Sequence, residues 1–105
     1  MARFSFVVYS NPAEGREQEY NDWYSNQHLR DLLAIPGVIS ARRFKLSGTQ
    51  IRNAAQTYQY LAIYDIEADD VSSFIEEMKL RTANGDIARS TAMSGDVLPL
   101  FWEAL

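Results

Sequence analysis

Aromatic and β-branched residues crowd positions 3 to 9, Arg-Phe-Ser-Phe-Val-Val-Tyr, and give way at Ser10-Asn11-Pro12. A run of this kind ended by a turn signal predicts a first strand. From about residue 14 to 34 the spacing turns helical, with Glu14, Glu17 and Glu19 near the positive end of the helix dipole. Ile35-Pro36-Gly37 ends it, because proline disfavours helical geometry in the residue before it. Positions 38 to 46 read as a second strand, and positions 49 to 56 as a polar loop. Positions 58 to 66 predict a third strand, with Tyr58, Tyr60, Ala62, Tyr64 and Ile66 on one face and Leu61 and Ile63 on the other. A strand that is apolar on both faces needs cover on both. Asp69 and Asp70 open a second helix in which Val71, Phe74, Ile75 and Met78 follow the i, i+3, i+4, i+7 rule. Asn84-Gly85 and Ser94-Gly95 bracket a segment with room for a short helical turn. Positions 97 to 104 predict a last strand, which Pro99 places at an edge or a bulge.

The order β-α-β-β-α-β is that of a ferredoxin-like α+β domain, a four-stranded antiparallel sheet with two helices on one face. At 105 residues there is room for one such domain, spanning 1–105, and not for a second. Two helices cover only one face of the sheet, so the apolar second face calls for another partner, most economically a second copy of the chain.

Composition narrows the chemistry. The chain has no cysteine and one histidine, which excludes disulfides, thiolate metal sites and a histidine-rich metal site within one subunit. No metal and no cofactor is expected. The net charge is -4 and the basic residues are scattered apart from Arg42, Arg43 and Lys45, which argues against nucleic acid. No signal-like N-terminus and no membrane-length apolar run is visible, so a soluble cytoplasmic protein is expected.

The stretch from Tyr20 to Asp31 holds that histidine. On a helix, Tyr20, Trp23, Tyr24, Gln27, His28 and Asp31 fall on one broad face with Leu32 and Ile35. An amide, an imidazole and a carboxylate among aromatic rings are costly to bury unless each finds a partner, which suggests a lined pocket. His28 is the candidate acid-base group, since imidazole titrates near neutrality. Asp31 is the candidate to fix its tautomer, with an arginine as the alternative partner for that carboxylate. Tyr24 can donate to a developing oxyanion. Tyr20, Trp23, Tyr64 and Trp102 are candidates for an aromatic substrate cleft, against the plainer reading that they are core or dimer-interface residues. Gln27 can orient a substrate carbonyl or cap a loop. Arg42 and Arg43 alternate on the second strand, so only one can face a cleft, where it would suit a carboxylated or phenolic substrate.

These residues also carry a resemblance. The first strand leading to Ser-Asn-Pro, Gly15-Arg16-Glu17, then Tyr20-Asn21-Asp22-Trp23-Tyr24 with Gln27-His28-Leu29, and Ile35-Pro36-Gly37-Val38 resemble EthD-like members of the dimeric α/β-barrel superfamily. The likeness continues through Tyr60-Leu61-Ala62-Ile63-Tyr64-Asp65-Ile66 to Phe101-Trp102-Glu103. It implies a homodimer whose two sheets face each other as a barrel, with a cleft between sheet and helices in each subunit. The superfamily includes muconolactone-type isomerases, polyketide cyclases, dehydratases and cofactor-independent monooxygenases. One departure stands out: relatives commonly carry proline two residues after the histidine, whereas Arg30 here prolongs a regular helix past His28.

The expected function is therefore a small cofactor-independent enzyme of aromatic, lactone or polyketide-like metabolites. It would be an isomerase, dehydratase or cyclase type using His28 as proton shuttle, with a monooxygenase version left open. The alternatives are a non-catalytic ligand-binding or accessory protein of a catabolic pathway, and a purely structural dimerisation module.

Overall fold

A computed structural model describes all of residues 1–105. Four strands form one antiparallel sheet: β1 (Ala2–Ser10), β2 (Val38–Lys45), β3 (Tyr60–Ala68) and β4 (Leu98–Glu103), in spatial order β2-β3-β1-β4. This is the ferredoxin-like α+β arrangement. The helical elements are α1 (Glu17–Trp23), a π turn (Tyr24–His28), α2 (Leu29–Leu33) and α3 (Val71–Ala83).

The alternation of the strands sets which face is covered. Phe4, Phe6, Val8 and Ser10 of β1 stand opposite Ile66, Tyr64, Ala62 and Tyr60 of β3, and all eight are buried. Tyr20, Tyr24, Leu32, Ile35 and Phe74 close over them from the helices. Phe4, Phe6, Phe74 and Phe101 meet ring to ring beneath α3, with Phe6 and Phe101 stacked at 4.3 Å. Pairs of this kind add to the area they bury.

On the other face, Val7, Tyr9, Leu61 and Ile63 are half-buried, while Phe44, Leu98, Leu100 and Trp102 are exposed. Among them lies a polar island in which Asp65 accepts hydrogen bonds from Ser5 and Ser40, each at 2.9 Å, and pairs with Arg42 at 3.3 Å. Pro99 sits on the edge strand, where a missing N–H breaks no ladder on the solvent side.

Several boundaries differ from the sequence expectation. The first helix begins at Glu17, since Gly15 adopts a φ of 75° in the turn before it. The third strand starts at Tyr60. Before it, the Gln59 N–H turns to the Asn11 side chain and the Tyr58 N–H to that of Gln56, and Tyr58 itself lies outside the strand. The second helix begins after Asp70 as expected, with the Asp70 carboxylate accepting from the Ser73 N–H at 2.7 Å.

Residues 84 to 97 form no helix but an extended strap across the helix side of the sheet. The strap is tied to the β1–α1 connection by Ala13 N–H to the Ala92 carbonyl at 2.6 Å and Ser94 N–H to the Asn11 carbonyl at 2.9 Å. Gly37 is fixed by sterics. Its φ is 99°, and a Cβ there would stand 2.7 Å from the Glu67 carbonyl oxygen.

Candidate functional site

The π turn organises the site. In a regular α-helix residues five apart point about 140° away from one another. A π turn bonds i to i+5, as the Leu29 N–H does to the Tyr24 carbonyl, and brings such residues one above the other. The Trp23 and His28 rings accordingly stack at 4.7 Å with 28° between planes, and the Tyr24 ring meets His28 edge-on at 4.9 Å. The regular helix expected past His28 is thus corrected: the helix does continue to Leu33, through one widened turn.

Trp23, His28 and Tyr64 line a cleft of about 830 Å³ between the sheet, α3 and the strap. Phe6, Val8, Leu32, Met78, Ile87 and Met93 make most of its wall apolar. Volumes of this size suit a small organic ligand. Three side-chain atoms of these residues, Trp23 Nε1, His28 Nδ1 and Tyr64 Oη, are buried with no hydrogen-bond partner in the chain. Leaving a polar atom so costs about 1–3 kcal/mol each. A second concavity of about 360 Å³, by Tyr9, Phe44 and Leu61 on the open face of the sheet, contains no such atom.

The electrostatics follow from burial. Burial lowers the His28 pKa to about 4, with the nearby Arg43 cation acting the same way and the Ala88 backbone and Asp31 carboxylate opposing. The imidazole is therefore neutral at pH 7. The Ala88 main chain favours the protonated ring, and Nδ1 is buried without a partner. Burial also pushes the Tyr24 hydroxyl up to about 12 and raises that of Tyr64 further, so both stay protonated. The two hydroxyls lie close enough to influence each other, yet neither makes a hydrogen bond of ordinary geometry.

Asp31 does not bond to His28 directly. Its Oδ2 accepts from the Ala88 N–H at 2.8 Å and its Oδ1 from Gln27 Nε2 at 2.9 Å. Asp31 therefore holds Ala88, the residue whose main chain acts on the ring, and the arginine alternative for its partner is not what the structure shows. Gln27 is exposed and spent on Asp31, so it does not line the cleft.

Three of the remaining candidates also lie elsewhere. Tyr20 is fully buried core, its hydroxyl 2.7 Å from Ser10 Oγ. Trp102 is 55% exposed on the opposite face of the sheet, because it pairs with Ser5 and not with a helix-facing residue of β1. Tyr24 backs the His28 ring without lining the cleft. Of the two arginines, Arg43 turns toward the helices. Its guanidinium lies 4.4 Å over the Tyr24 ring and donates to Asn21 and Ser25, each at 2.9 Å, so it braces the helix and does not contact the cleft.

Sequence reasoning missed the strap, which supplies Ile87, Ala88, Arg89, Ser90 and Met93 to the cleft. Its one signal was a pair of apolar residues, Ile87 and Met93, in a segment bracketed by two turn signals. No helix is long and apolar enough to cross a membrane.

No family model and no curated protein matches this sequence. Solved structures do match over nearly the whole chain. An EthD family protein from Bacillus halodurans is 15% identical, with all of both chains covered and a TM-score of 0.60. An EthD-like protein from Ralstonia eutropha is 18% identical over 99% of this chain and 91% of that one, at 0.61. A dimeric ferredoxin-like protein of unknown function from Jannaschia is 14% identical over 97% and 99%, at 0.63. At such identities the likeness speaks of architecture, and the chain shares the ferredoxin-like fold of EthD family and dimeric ferredoxin-like proteins.

Proposed function

We propose that the cleft binds a small, largely apolar metabolite of aromatic, lactone or polyketide-like type, and that His28 moves a proton on it without a cofactor. The observation that carries this reading is that three residues lining one largely apolar cleft, His28, Trp23 and Tyr64, each hold a buried polar atom with no partner in the chain, Nδ1, Nε1 and Oη. Neutral imidazole with a free Nδ1 can take a proton from carbon beside a carbonyl, and Trp23 and Tyr64 can donate to the enolate oxygen that forms. The negative charge created next to the ring stabilises the imidazolium, which then returns the proton at another position or to a leaving hydroxyl. Isomerisation, dehydration and cyclisation share this step. Tyr24 packs the ring in place, and Asp31 positions it through Ala88.

The assembly that fits is a homodimer joined through the open sheet face, where Phe44, Leu98, Leu100 and Trp102 are exposed together. The Jannaschia relative is described as dimeric. Light scattering at micromolar concentration tests this, and a monomer refutes it.

A second reading, ligand binding without turnover, is favoured by the same pKa of about 4, which makes His28 a weak base in the free protein. Replacing His28→Ala separates the two. Turnover lost with affinity kept supports the enzyme, and unchanged behaviour toward a ligand supports the binding protein.

A further inference from the structure

The polar groups lining the cleft divide by burial. On the inner, buried side are the unpartnered polar atoms of Tyr64, Trp23 and His28. These are two donors, the indole N–H and the phenol O–H, and an imidazole nitrogen, Nδ1, that can accept in the neutral ring. No charged side chain is among the inner groups. The only charged residues that line the cleft are Lys79 of α3 and Arg89 of the strap, both exposed and both cationic. Arg89 has no ion-pair partner, and Lys79 touches only Glu76 at 3.8 Å, with both side chains largely in solvent. In a chain of net charge -4, a cleft whose charges are exclusively positive is a local reversal of sign.

A hydroxyl is the group that matches the inner end. It can donate to Nδ1 while accepting from Trp23 or Tyr64, so one oxygen partners otherwise orphaned atoms. A carboxylate fits there poorly, since it cannot donate to Nδ1 and would be desolvated with no cation to touch, Arg43 being outside the cleft and spent on Asn21 and Ser25. At the mouth the preference reverses.

We propose, resting on the reading of this cleft as the functional site, that its ligand is an elongated phenol or enol carrying an anionic group at the far end. The hydroxyl lies inward on His28, Trp23 and Tyr64, and the anion, of carboxylate type, lies outward between Lys79 and Arg89. The cleft then fixes which end of the molecule meets the imidazole. It also excludes short anions that have no apolar body to span the distance.

Three probes test this: para-hydroxycinnamate, its methyl ester, and cinnamate. Binding is followed by NMR on the His28 ring and the Trp23 indole N–H at pH 7. The acid is expected to bind roughly fivefold more tightly than the ester, as one or two solvent-exposed charge contacts allow. High salt should erase that advantage. In the Lys79→Ala, Arg89→Ala double variant the acid should fall to the level of the ester while the ester binds as before, which also shows that the variant is folded. Cinnamate, which lacks the hydroxyl, should displace the His28 signals least. Equal affinity of acid and ester, or an acid preference that survives in the double variant, overturns the proposal while a displaced His28 signal leaves the site intact. If no probe moves either resonance, the cleft is not the site and both readings fall.

Discussion

The neutral, buried state of His28 makes a quantitative demand on the stability of the fold. In the unfolded chain the ring titrates near its ordinary value of 6.5, whereas in the native structure burial holds it to about 4. As pH falls through this window the unfolded chain takes up the proton first, so stability is full above 6.5 and declines toward 4. At about 1.4 kcal/mol per pH unit the complete loss is roughly 3 kcal/mol, and about 2 kcal/mol of it is gone by pH 5. Against a domain stability on the order of 5–15 kcal/mol this is a large effect.

The carboxylates held low by hydrogen bonds, Asp65 by Ser40 and Asp70 by Ser73, also lose stability in acid. Their losses begin as pH falls through the ordinary carboxylate range, so His28 dominates between pH 6.5 and 5. The assay is urea denaturation at half-unit pH steps from 7.5 to 4, for the native sequence and for His28→Gln. The native protein should lose about 2 kcal/mol by pH 5 relative to the variant. Parallel curves for the two proteins would refute the placement of a neutral imidazole in the cleft wall, as would an NMR midpoint for His28 near 6.5.

Other outcomes follow from geometry. Asp31→Ala removes the acceptor for the Ala88 N–H and for Gln27; it should cost about 1–2 kcal/mol and speed amide exchange at Ala88, and an unchanged exchange rate would show that the strap is held by other contacts. Gly37→Ala forces a positive φ and a Cβ into the Glu67 carbonyl, so it should destabilise by more than about 1 kcal/mol in thermal or chemical unfolding. Leu100→Glu places a charge amid the exposed apolar residues of the open face and should convert a light-scattering dimer to monomer with the circular dichroism spectrum retained. Asp70→Ala strips the cap of α3 and should cost about 1 kcal/mol without moving the His28 resonances.

Much of the architecture is legible in the sequence where one period dominates. Phe4, Phe6 and Val8 alternate, as do Tyr60, Ala62, Tyr64 and Ile66, and burial follows that alternation residue by residue. The Asp70 cap is legible for a different reason, because it depends only on neighbours in the chain. The π turn is not legible, since its sequence is compatible with a regular helix and only tertiary contacts decide whether one extra residue is absorbed. The side of the sheet that Trp102 takes is not legible, because the parity of β4 against β1 is a matter of register, and a slip of one residue exchanges its two faces. Asp31 and Gln27 carry the right chemistry in the right neighbourhood, but the strap that receives Asp31 lies 57 positions away in the chain. Arg42 and Arg43 are equivalent in sequence, and only the pairing of β2 with β3 gives each its face.

The link between Asp31 and His28 has an experimental consequence of its own. Both of its contacts at Ala88 are with the main chain, one through the N–H of the amide that precedes the Cα and the other through the carbonyl of the amide that follows it. A scan that trims side chains to methyl groups passes over this position without registering it, because the residue already is alanine. Exchange to serine or glycine leaves the same two atoms in place. Only chemistry directed at the main chain, such as proline or an ester in place of the amide, can interrogate it. The position that couples the outer carboxylate to the inner ring is therefore one at which sequence variation alone is nearly mute.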